Sequence, residues 1–573
     1  MSELTLDENQ KLDRSSYTDR ILNSSAKLKL LVAGPGTGKT YTFTQVFKKI
    51  PGKKLAITFI RKLVNEMRAK FDESIEVRTF HEFCKWQLHK NSSDFNLEPF
   101  LPDIIKRDAA LLSSELSDFT SKFQNLDEQG LEIQFYLKRS DYYNTVSFDD
   151  VVYRYLKLVQ ENPSILPKYQ QIVIDEYQDF NKLETEFINL LEHSGNILVA
   201  GDDDQALYSG RFSSPSFIRQ LYYAGRYECF ELPYCSRCPE VIVNIVNDFI
   251  ANATKEGYLK DRIKKNYKCY IPDKESDSRK HPRIVIAECS TISAVIKFIK
   301  SELNSIDSED IADSYKPDSE YPTALIIGPR HYLEKIHSEL SKDFCVDFTS
   351  SDTIRYSFTD AIRILVQNPQ SNLGWRLVVE MLVSDEKIQS DIIQKSEESI
   401  KIIDCLQSDL VEDVLKIVSL TKDYQAGKWD ATNFAEELNN LCPKHAMDLI
   451  KFFAIEDSTS SETPDVQKKR PSVLLTTYQG AKGLSGGHVF LLGVNNGILP
   501  KDPLQVTDVE LAQFLVALTR TRKKFYSISN RWFIAPRMSN GKRSKTYMMS
   551  KFVDLIPTKY RDNLGYKRVQ NIK

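Results

Sequence analysis

The stretch "LLVAGPGTGKTYTF", which begins at Leu30, constrains the fold of this 573-residue chain more than any other. It joins an apolar run to a cluster of glycines, and a lysine and a threonine then open a helix-like segment. Gly34, Gly36 and Gly38 permit backbone turns that other residues avoid, so their N–H groups can face a phosphate. The stretch therefore predicts a strand, a phosphate-binding loop and a helix whose positive end faces the anion. The only departure from the usual G-x-x-x-x-G-K-[ST] pattern is Ala33 at the first glycine.

An acidic pair is the expected partner of such a loop. The segment "QQIVIDEYQD" places Asp175 and Glu176 directly after an apolar run. Lys39 would reach the β- and γ-phosphates, and Thr40 and Asp175 would hold Mg²⁺. Glu176 is placed to polarise an attacking water. Because nucleotide-dependent switch proteins usually lack this second acid, the pair favours a hydrolytic motor.

The rest of the chain predicts an α/β protein with helical insertions. Short apolar runs such as "KKLAITFI" and "GNILVAGDDDQ" are each followed by a helix-length segment, which is typical of buried parallel strands. A later set, including "HVFLLGV", indicates a second sheet region. Phe95–Asn144 and Leu365–Ile455 are helix-rich and lack strand signals. The length favours two to four domains.

Composition indicates an ordinary globular protein that acts away from membranes. Hydrophobic residues make up 41% and charged residues 27% of the chain, which are usual values. No stretch approaches the roughly 18 apolar residues of a membrane span, and the polar start "MSELTLDENQ" is not typical of a secretory signal. Nine scattered cysteines fit a reducing compartment. We therefore expect a cytoplasmic protein without a membrane partner.

The order of the motifs resembles the UvrD/PcrA/Rep group of superfamily 1 DNA helicases. The matching segments are "LTLDENQ", "AGPGTGKT", "AITFIRKLVNEMRAKF", "VRTFHEFC", "VIDEYQDFNKLE", "VAGDDDQALYSGR", "ELPYCSRCPEVIV", "TTYQGAKGLSGGHVFLLG" and "FLVALTRTRKKFY". The resemblance implies two RecA-like parallel-sheet motor domains with a helical insertion in each. It also implies ATP and Mg²⁺ as cofactors, and single-stranded DNA and tailed or forked duplexes as partners.

The domain boundaries follow from the resemblance. The implied division assigns residues 1–90 and 146–225 to the ATP-binding motor domain 1A, 91–145 to helical insertion 1B, 226–364 and 470–556 to motor domain 2A, 365–469 to a reduced insertion 2B, and 557–573 to a basic C-terminal tail.

The family also implies a role for each matching residue. Gln205 would sense the γ-phosphate, and Arg237 and Arg520 would act as arginine fingers from the second motor domain, since guanidinium binds phosphate bidentately. With Lys39, Asp175 and Glu176, these residues form the expected catalytic set. Gln10 would read the adenine edge. The expected nucleotide-binding residues are Gln10, Ala33, Gly34, Pro35, Gly36, Thr37, Gly38, Lys39, Thr40, Tyr41, Arg237, Gly483 and Arg520.

A second set of residues is expected to hold the nucleic acid. Aromatic rings that stack on bases, together with basic and hydroxyl groups on phosphates, give a grip that tolerates any sequence. The expected DNA-binding residues are Phe59, Thr79, Phe80, His81, Tyr208, Arg211, Thr477 and Lys482. For each aromatic residue taken alone, packing in the core is the competing interpretation.

The chain departs from the family at several positions. Gly210 stands where a stacking tryptophan is usual, Ser236 replaces the tyrosine expected against adenine, and Ser485 replaces a ribose-binding glutamate. The departures leave the hydrolytic residues in place, so we expect an active but divergent ATPase. Cys235 and Cys238 form a C-x-x-C pair, but a zinc site would need two further ligands, and no other cysteines are suitably paired.

Three functions remain open from the sequence. The leading hypothesis is an ATP-driven translocase on single-stranded DNA that unwinds duplexes with 3′-to-5′ polarity, in DNA repair, recombination or antiphage defence. The second is a helicase-like subunit of a multi-protein complex, for example with a nuclease, that unwinds poorly alone. The third is a 5′-to-3′ relative or an RNA helicase.

Overall fold

The chain folds around two parallel β-sheets. The computed structural model describes residues 6–58, 64, 67–68, 71–92, 94–207, 213–316, 319, 321–349, 356–453, 470–533 and 546–565. The strands are β1 Leu28–Ala33, β2 Lys54–Thr58, β3 Ile75–Thr79, β4 Asn96–Leu97, β5 Thr145–Val146, β6 Gln171–Ile174, β7 Asn196–Gly201, β8 Glu228–Leu232, β9 Tyr234–Cys235, β10 Lys268–Cys269, β11 Ile284–Cys289, β12 Ala324–Ile327, β13 Cys345–Thr349, β14 Ser472–Thr476, β15 Gly486–Leu492, β16 Thr521–Asn530 and β17 Arg561–Leu564.

Helices cover both sheets and form the two insertions. They are α1 Leu6–Asn23, α2 Lys39–Lys49, α3 Phe80–Asn91, α4 Leu101–Leu111, α5 Phe119–Gln124, α6 Glu132–Tyr143, α7 Phe148–Glu161, α8 Lys182–Leu191, α9 Pro215–Tyr223, α10 Glu240–Lys255, α11 Ile271–Lys280, α12 Ile292–Asn304, α13 Ser308–Ser314, α14 Arg330–Leu340, α15 Phe358–Gln367, α16 Asn372–Leu382, α17 Glu386–Ser396, α18 Ser408–Gln425, α19 Ala431–Leu441, α20 Ala446–Phe453 and α21 Asp508–Leu518.

The first sheet has the strand order β3-β2-β6-β7-β1-β8, and all its pairings are parallel. Its strands read as continuous apolar runs because both faces are covered. Along β1, Leu30 and Val32 enter one core, whereas Leu31 and Ala33 enter the core on the opposite face. Parallel strands end at the same edge of a sheet, so the segments that follow β1, β6 and β7 meet there.

The second sheet has the strand order β13-β14-β12-β15-β16-β11-β17, again with parallel pairings. As in the first sheet, both faces of this sheet are covered by helices. Leu325 of β12 packs into a core with α10 and α21, and Ile326 packs into the core with α12 and α14. The predicted fold class, two RecA-like parallel-sheet domains with helical insertions, is confirmed.

The two helical insertions pack against each other although they are far apart in the sequence. Helices α4–α6 and α15–α20 belong to one continuous hydrophobic core, which also covers a face of the first sheet. A buried ionic cluster joins the insertions. The Asp108 carboxylate accepts hydrogen bonds from Arg139 at 2.8 Å and from Arg376 at 2.7 Å, and all three side chains are at most 1% exposed.

At three places the structure groups residues differently from the predicted domain boundaries. The first sheet does not end at residue 225, because β8 pairs with β1 and extends it to Leu232. The second insertion begins earlier than residue 365, because α15 starts at Phe358 and packs with the insertion helices. Residues 557–573 are not only a tail, because β17 pairs with β11 at the edge of the second sheet. In each case pairing with a distant segment outweighs the local sequence pattern.

Within the described ranges, no helix has both the length and the apolar character needed to cross a membrane.

Candidate active site

Ten of the thirteen predicted nucleotide-binding residues line one cavity of about 370 Å³ between the two sheets, whereas Gln10, Ala33 and Tyr41 do not. The first sheet with its helices, here called the first body, contributes the loop after β1, the acidic pair after β6 and Gln205 after β7. The second sheet with its helices, the second body, contributes the segment after β9, the segment before β15, and two arginines at the start of β16. The lining residues are Gly34, Pro35, Gly36, Thr37, Gly38, Lys39, Thr40, Asp175, Glu176, Gln205, Ser236, Arg237, Gly483, Ser485, Arg520 and Arg522.

The loop after β1 has the conformation that phosphate binding requires. Gly38 caps α2 in the left-handed region at φ 94°, and Gly36 has φ 72°. The α2 N-terminus therefore opens toward the cavity with its positive end. The Lys39 ammonium lies 3.4 Å from the carbonyl oxygen of Ala33, which keeps it over the loop.

The acidic pair after β6 is buried, and the backbone of Glu176 is strained. Glu176 adopts φ 58° and ψ 39°, which is uncommon outside glycine, and Gln178 donates a 2.6 Å hydrogen bond to its carboxylate. Burial would raise the pKa of Glu176, but the Lys39 and Lys482 ammonium groups outweigh burial and lower it. Burial and the adjacent Glu176 charge raise the pKa of Asp175. The two carboxyl groups therefore differ in proton affinity, and Glu176 is the stronger acid of the pair.

Gln205 links the acidic side of the cavity to an arginine of the second body. Its side-chain oxygen accepts a 2.9 Å hydrogen bond from Arg520, and its side-chain nitrogen donates one of 2.6 Å to Asp202. Arg520 is 3% exposed, and burial together with the nearby Arg237 lowers its pKa to about 10. It remains charged at neutral pH, as a phosphate-binding guanidinium must.

The turn that carries Gln205 is fixed by a run of ion pairs. Lys265 contacts the carboxylates of Asp202, Asp203 and Asp204 at 2.5, 2.8 and 2.7 Å. Arg262 adds two hydrogen bonds to Asp204. These contacts hold the segment after β7 in place, so Gln205 projects into the cavity from a rigid support.

The phosphate loop touches the second body directly. The Ser236 N–H donates a 3.0 Å hydrogen bond to the carbonyl of Gly36, and the Tyr267 hydroxyl donates one of 2.9 Å to the carbonyl of Pro35. A Cβ placed on Gly36 would lie 2.5 Å from the Cβ of Arg237. Arg237 therefore lies against the loop, and its Nη1 is buried without a hydrogen-bond partner among the described residues.

Arg522 is a lining residue that the sequence motifs did not single out. Arg522 reaches the cavity and donates a 2.9 Å hydrogen bond to Ser485, the residue that replaces the expected glutamate. Arg522 follows Arg520 by two positions, and alternate residues of a strand share a face. The spacing was therefore available as a signal for a second cationic group.

A second cavity of about 390 Å³ adjoins the phosphate loop and shares Thr37 and Gly38 with the first. It is lined by aromatic rings, including Tyr41 and Tyr270, and by Arg14, whose guanidinium lies 4.2 Å from the Tyr270 ring centre. Gln10 lies at the contact between the bodies, where its side-chain oxygen accepts a 3.0 Å hydrogen bond from the Ile271 N–H. Tyr41 and Gln10 thus lie outside the phosphate cavity.

The structure turns several expected DNA contacts inward. Phe80 is fully buried, with its ring 5.4 Å from that of Phe180 and 5.6 Å from that of Phe187. The Phe80 ring therefore packs in the core of this structure, and its expected contact with DNA stays a prediction. Thr79 caps α3 with its hydroxyl, and His81 is buried with its ring 4.7 Å from that of Phe148.

Lys482 is also placed differently from the expected phosphate-facing position. Its ammonium is buried between the bodies, ion-paired with Asp179 and 3.7 Å from Glu176. Thr477 is half-buried, and its hydroxyl accepts a hydrogen bond from the Gly480 N–H, so its role toward DNA stays a prediction. The expected contacts Phe59, Tyr208 and Arg211 lie outside the described residues.

Comparisons with known proteins agree with this geometry. A family described as "AAA domain" matches residues 19–211, and one described as "UvrD-like helicase C-terminal domain" matches residues 430–531. Similar proteins include a probable DNA helicase II homolog of Mycoplasma pneumoniae, 22% identical over 87% of this chain and 81% of the relative, and DNA helicase II of Haemophilus influenzae, 22% identical over 92% and 85%. ATP-dependent DNA helicase PcrA of Staphylococcus aureus is 22% identical over 95% and 86%.

A phosphate loop and an acidic pair on one parallel sheet, facing two arginines from another, define a nucleotide-driven motor with two RecA-like domains. Within that class, the matching families and relatives place the chain more narrowly. It belongs to the UvrD/PcrA-like superfamily 1 helicases.

Proposed function

We propose that this protein is an ATP-dependent translocase on single-stranded DNA that unwinds duplexes with 3′-to-5′ polarity. The observation that carries the proposal is the cavity between the sheets, where the phosphate loop and Glu176 meet Arg237 and Arg520. A nucleotide bound there would hold the two bodies together, and its hydrolysis would release them. Relatives named as DNA helicases support DNA as the polymer.

The residues in the cavity can perform the chemical step. The ionised Glu176 carboxylate can accept a proton from an attacking water, and its hydrogen bond with Gln178 fixes its orientation. Lys39 and the positive end of α2 would bind the β- and γ-phosphates. The unpartnered Nη1 of Arg237 is available for charge that develops on the γ-phosphate.

Thr40 and Asp175 are suited to hold Mg²⁺. Both line the cavity, and they offer the oxygen ligands that this ion prefers. When bound, the ion would neutralise phosphate charge. A cation bound there would lower the raised pKa of Asp175, because it would favour the ionised form.

The adjoining aromatic cavity is the proposed place of the base and ribose. Tyr41 and Tyr270 offer rings on which a planar base can stack. They would take the role of the expected tyrosine, whose position Ser236 occupies. Gln10 does not line this cavity, and its side-chain oxygen is bonded to the Ile271 N–H at the contact between the two bodies. We propose ATP as the nucleotide, with adenine selected less strictly than the phosphates.

The first experiment measures ATP hydrolysis with and without single-stranded DNA. Turnover should rise steeply with DNA, and Lys39→Ala should lower it by at least about 100-fold because charge stabilisation on the phosphates is lost. Lys48→Ala is the matched control, since Lys48 is exposed near the other end of the same helix. Turnover that ignores nucleic acid would refute the motor.

Strand displacement on 3′-tailed and 5′-tailed duplexes, made of DNA and of RNA, decides polarity and substrate. Unwinding of the 3′-tailed DNA alone supports the proposal. Unwinding only of 5′-tailed duplexes, or only of RNA, would overturn the polarity or the polymer. Repair, recombination or antiphage defence is the proposed setting, tested by the sensitivity of a deletion strain to DNA damage or to phage.

A helicase-like subunit of a larger complex, for example with a nuclease, is the second candidate. The observation that favours it is the exposure of Met447 and Phe452 on α20, at 65% and 54% of their side-chain surface. Apolar side chains on one short helix can serve as a contact for another protein. Purification from the host should then recover a stoichiometric nuclease, and the isolated chain should hydrolyse ATP but unwind poorly.

A further inference from the structure

Two buried cysteines flank Arg237 in the segment that contacts the phosphate loop. Cys235 ends β9, and Cys238 lies just before α10. Both are 0% exposed. The Cys238 N–H lies 3.4 Å from the Cys235 sulfur, and the Cys238 thiol donates a 3.4 Å hydrogen bond to the Thr519 carbonyl. The two cysteines therefore lie at the two ends of the turn that carries Arg237, with the Cys235 sulfur against the backbone of Cys238.

The phosphate loop covers this pair. A Cβ on Gly36 would lie 3.1 Å from the Cys235 sulfur, so the glycine backbone rests directly on the thiol. The hydrogen bond between Ser236 and Gly36 closes the same contact. Opening of the cleft would remove this cover, and a nucleotide bridging the two bodies would keep it in place.

The two thiols differ in reactivity. Burial would raise the pKa of Cys235, but hydrogen bonds to its sulfur, including the one from the Cys238 backbone N–H, outweigh burial and lower it. Burial raises the pKa of Cys238 well above its ordinary value. A thiolate beside a thiol is the arrangement from which a disulfide forms by exchange, because the thiolate attacks first and the thiol resolves the intermediate.

We propose that Cys235 and Cys238 are a redox-active dithiol that forms a disulfide when the cleft is open and thereby disables Arg237. The oxidant is a low-molecular-weight disulfide. The Cys235 thiolate attacks one of its sulfurs and releases a thiolate. The Cys238 sulfur then loses its proton and attacks the Cys235 sulfur of the mixed disulfide, releasing the second half. Two electrons pass to the external disulfide, and the Cys238 proton leaves with its thiols.

The disulfide would act on the motor through backbone geometry. It closes a small ring that contains Ser236 and Arg237, so the backbone of Arg237 can no longer adjust to the γ-phosphate. This consequence rests on the proposed ATPase function, whereas formation of the disulfide does not. Cys269, paired with Cys235 in β10 and β9, lies nearby but outside the ring.

The test treats the full-length protein with oxidised glutathione, with and without Mg²⁺ and a non-hydrolysable ATP analogue. Denatured samples are then alkylated and mapped. Two of the nine thiols should escape alkylation. Trypsin cuts after Arg237, so the expected product is a pair of peptides joined through Cys235 and Cys238. The analogue should slow the reaction. ATP hydrolysis should fall by at least about tenfold and recover with dithiothreitol, because an arginine finger contributes much more than this.

Cys235→Ser and Cys238→Ser should hydrolyse ATP in reductant and resist oxidised glutathione. Cys84→Ser, which changes another fully buried cysteine, should respond like the wild type. The proposal is overturned if all nine thiols of the oxidised wild type remain alkylatable, or if oxidation inhibits Cys238→Ser equally. A reduced wild type that hydrolyses no ATP would refute the proposed function instead, while the thiol count would still decide the dithiol.

Discussion

Gly36 is the residue at which the phosphate loop meets the opposite body. Its left-handed conformation is one reason for glycine, and the contact with Arg237 is the second. Gly225 has the left-handed conformation without the close contact, so a comparison with Gly36 distinguishes the two reasons. It has nearly the same φ, 71° against 72°, but a Cβ there would meet nothing within 4 Å.

Gly36→Ala should therefore be far more harmful than Gly225→Ala. Both changes carry the cost of a left-handed alanine, about 1 kcal/mol. Only Gly36→Ala also pushes Arg237 away, so its DNA-stimulated ATP turnover should fall by at least about 100-fold, as expected for a displaced arginine finger. Steady-state kinetics and thermal unfolding of both variants would check this. Wild-type turnover of Gly36→Ala would contradict the contact.

The positions of site residues could be predicted from the sequence where they depend on the strand that directly precedes each residue. Lys39, Asp175 and Glu176 follow buried strands, and parallel strands bring them to one edge. Phe80 could not be placed in this way. Its burial depends on Phe180 and Phe187, about a hundred positions away, which the local motif does not contain.

At the scale of helices, the ionic cluster around Asp108 joins the two insertions. Its carboxylate also accepts a hydrogen bond from Tyr143, and Arg376 reaches it from α16. Removal of one partner from a buried cluster leaves uncompensated charge, which costs far more than the loss of an exposed pair.

Asp108→Asn should destabilise the packed insertions by about 3 kcal/mol, because Arg139 and Arg376 lose their shared counter-charge. Asp423→Asn is the matched control, since it removes an exposed pair with Lys428. Urea unfolding followed by tryptophan fluorescence would measure both changes. An equal shift of the unfolding midpoint in the two variants would refute the cluster's role.

A second ionic cluster lies where α11 and α13 meet the first residues of β15 and β16, two inner strands of the second sheet. The Asp310 carboxylate lies 3.1 Å from the His488 ring and 2.8 Å from the Lys523 ammonium. Burial lowers the pKa of His488 below its ordinary 6.5, and Asp310 opposes this only in part. The other groups that face His488 are His281, Lys280 and Lys524.

The free energy of unfolding should therefore fall as the pH drops from about 7 to about 5, because the unfolded chain takes up the His488 proton first. His488→Asn should make this decline less steep. The slope should change by at most about 1.4 kcal/mol per pH unit, which is the contribution of one proton. The exposed His89 provides the control variant His89→Asn. Thermal unfolding across the pH series measures the slopes, and identical slopes in all three proteins would exclude His488.

The elements themselves were largely predictable, but their partners were not. The apolar runs indicated β1, β2, β6 and β7 because two-sided burial leaves a continuous signal. The assignment of β8 and β17 to their sheets, and the joining of the insertions, depend on pairing between distant segments. Single-sequence patterns carry no such information, so the boundaries predicted near 225, 364 and 557 differ from the grouping of strands and helices in the structure.

At the scale of the whole molecule, the hydrophobic cores do not follow the order of the sequence. Helices α15–α20 are inserted between strands of the second sheet, yet they share a core with the first. The second sheet has two separate cores of its own. The molecule should therefore unfold as two units whose boundary is not the sequence boundary.

Hydrogen exchange in mild denaturant should show this division. Helices α15 and α16 should lose protection together with α4 and α6, and not with β11 or β16, because cooperative units follow shared cores. Asp108→Asn should speed exchange in both insertions and leave the second sheet unchanged. Exchange of α15 in step with β16 would contradict the shared core.

The contact between Asp108 and Arg376 spans 268 positions of the chain, and this has a consequence for synthesis. When the first insertion leaves the ribosome, its partner helices are not yet made. The apolar surface of α4 and α6 therefore stays uncovered for roughly 15 to 60 seconds, at an elongation rate of about 5 to 20 residues per second. A nascent chain of this kind would be a substrate for holding chaperones until Phe453 has emerged.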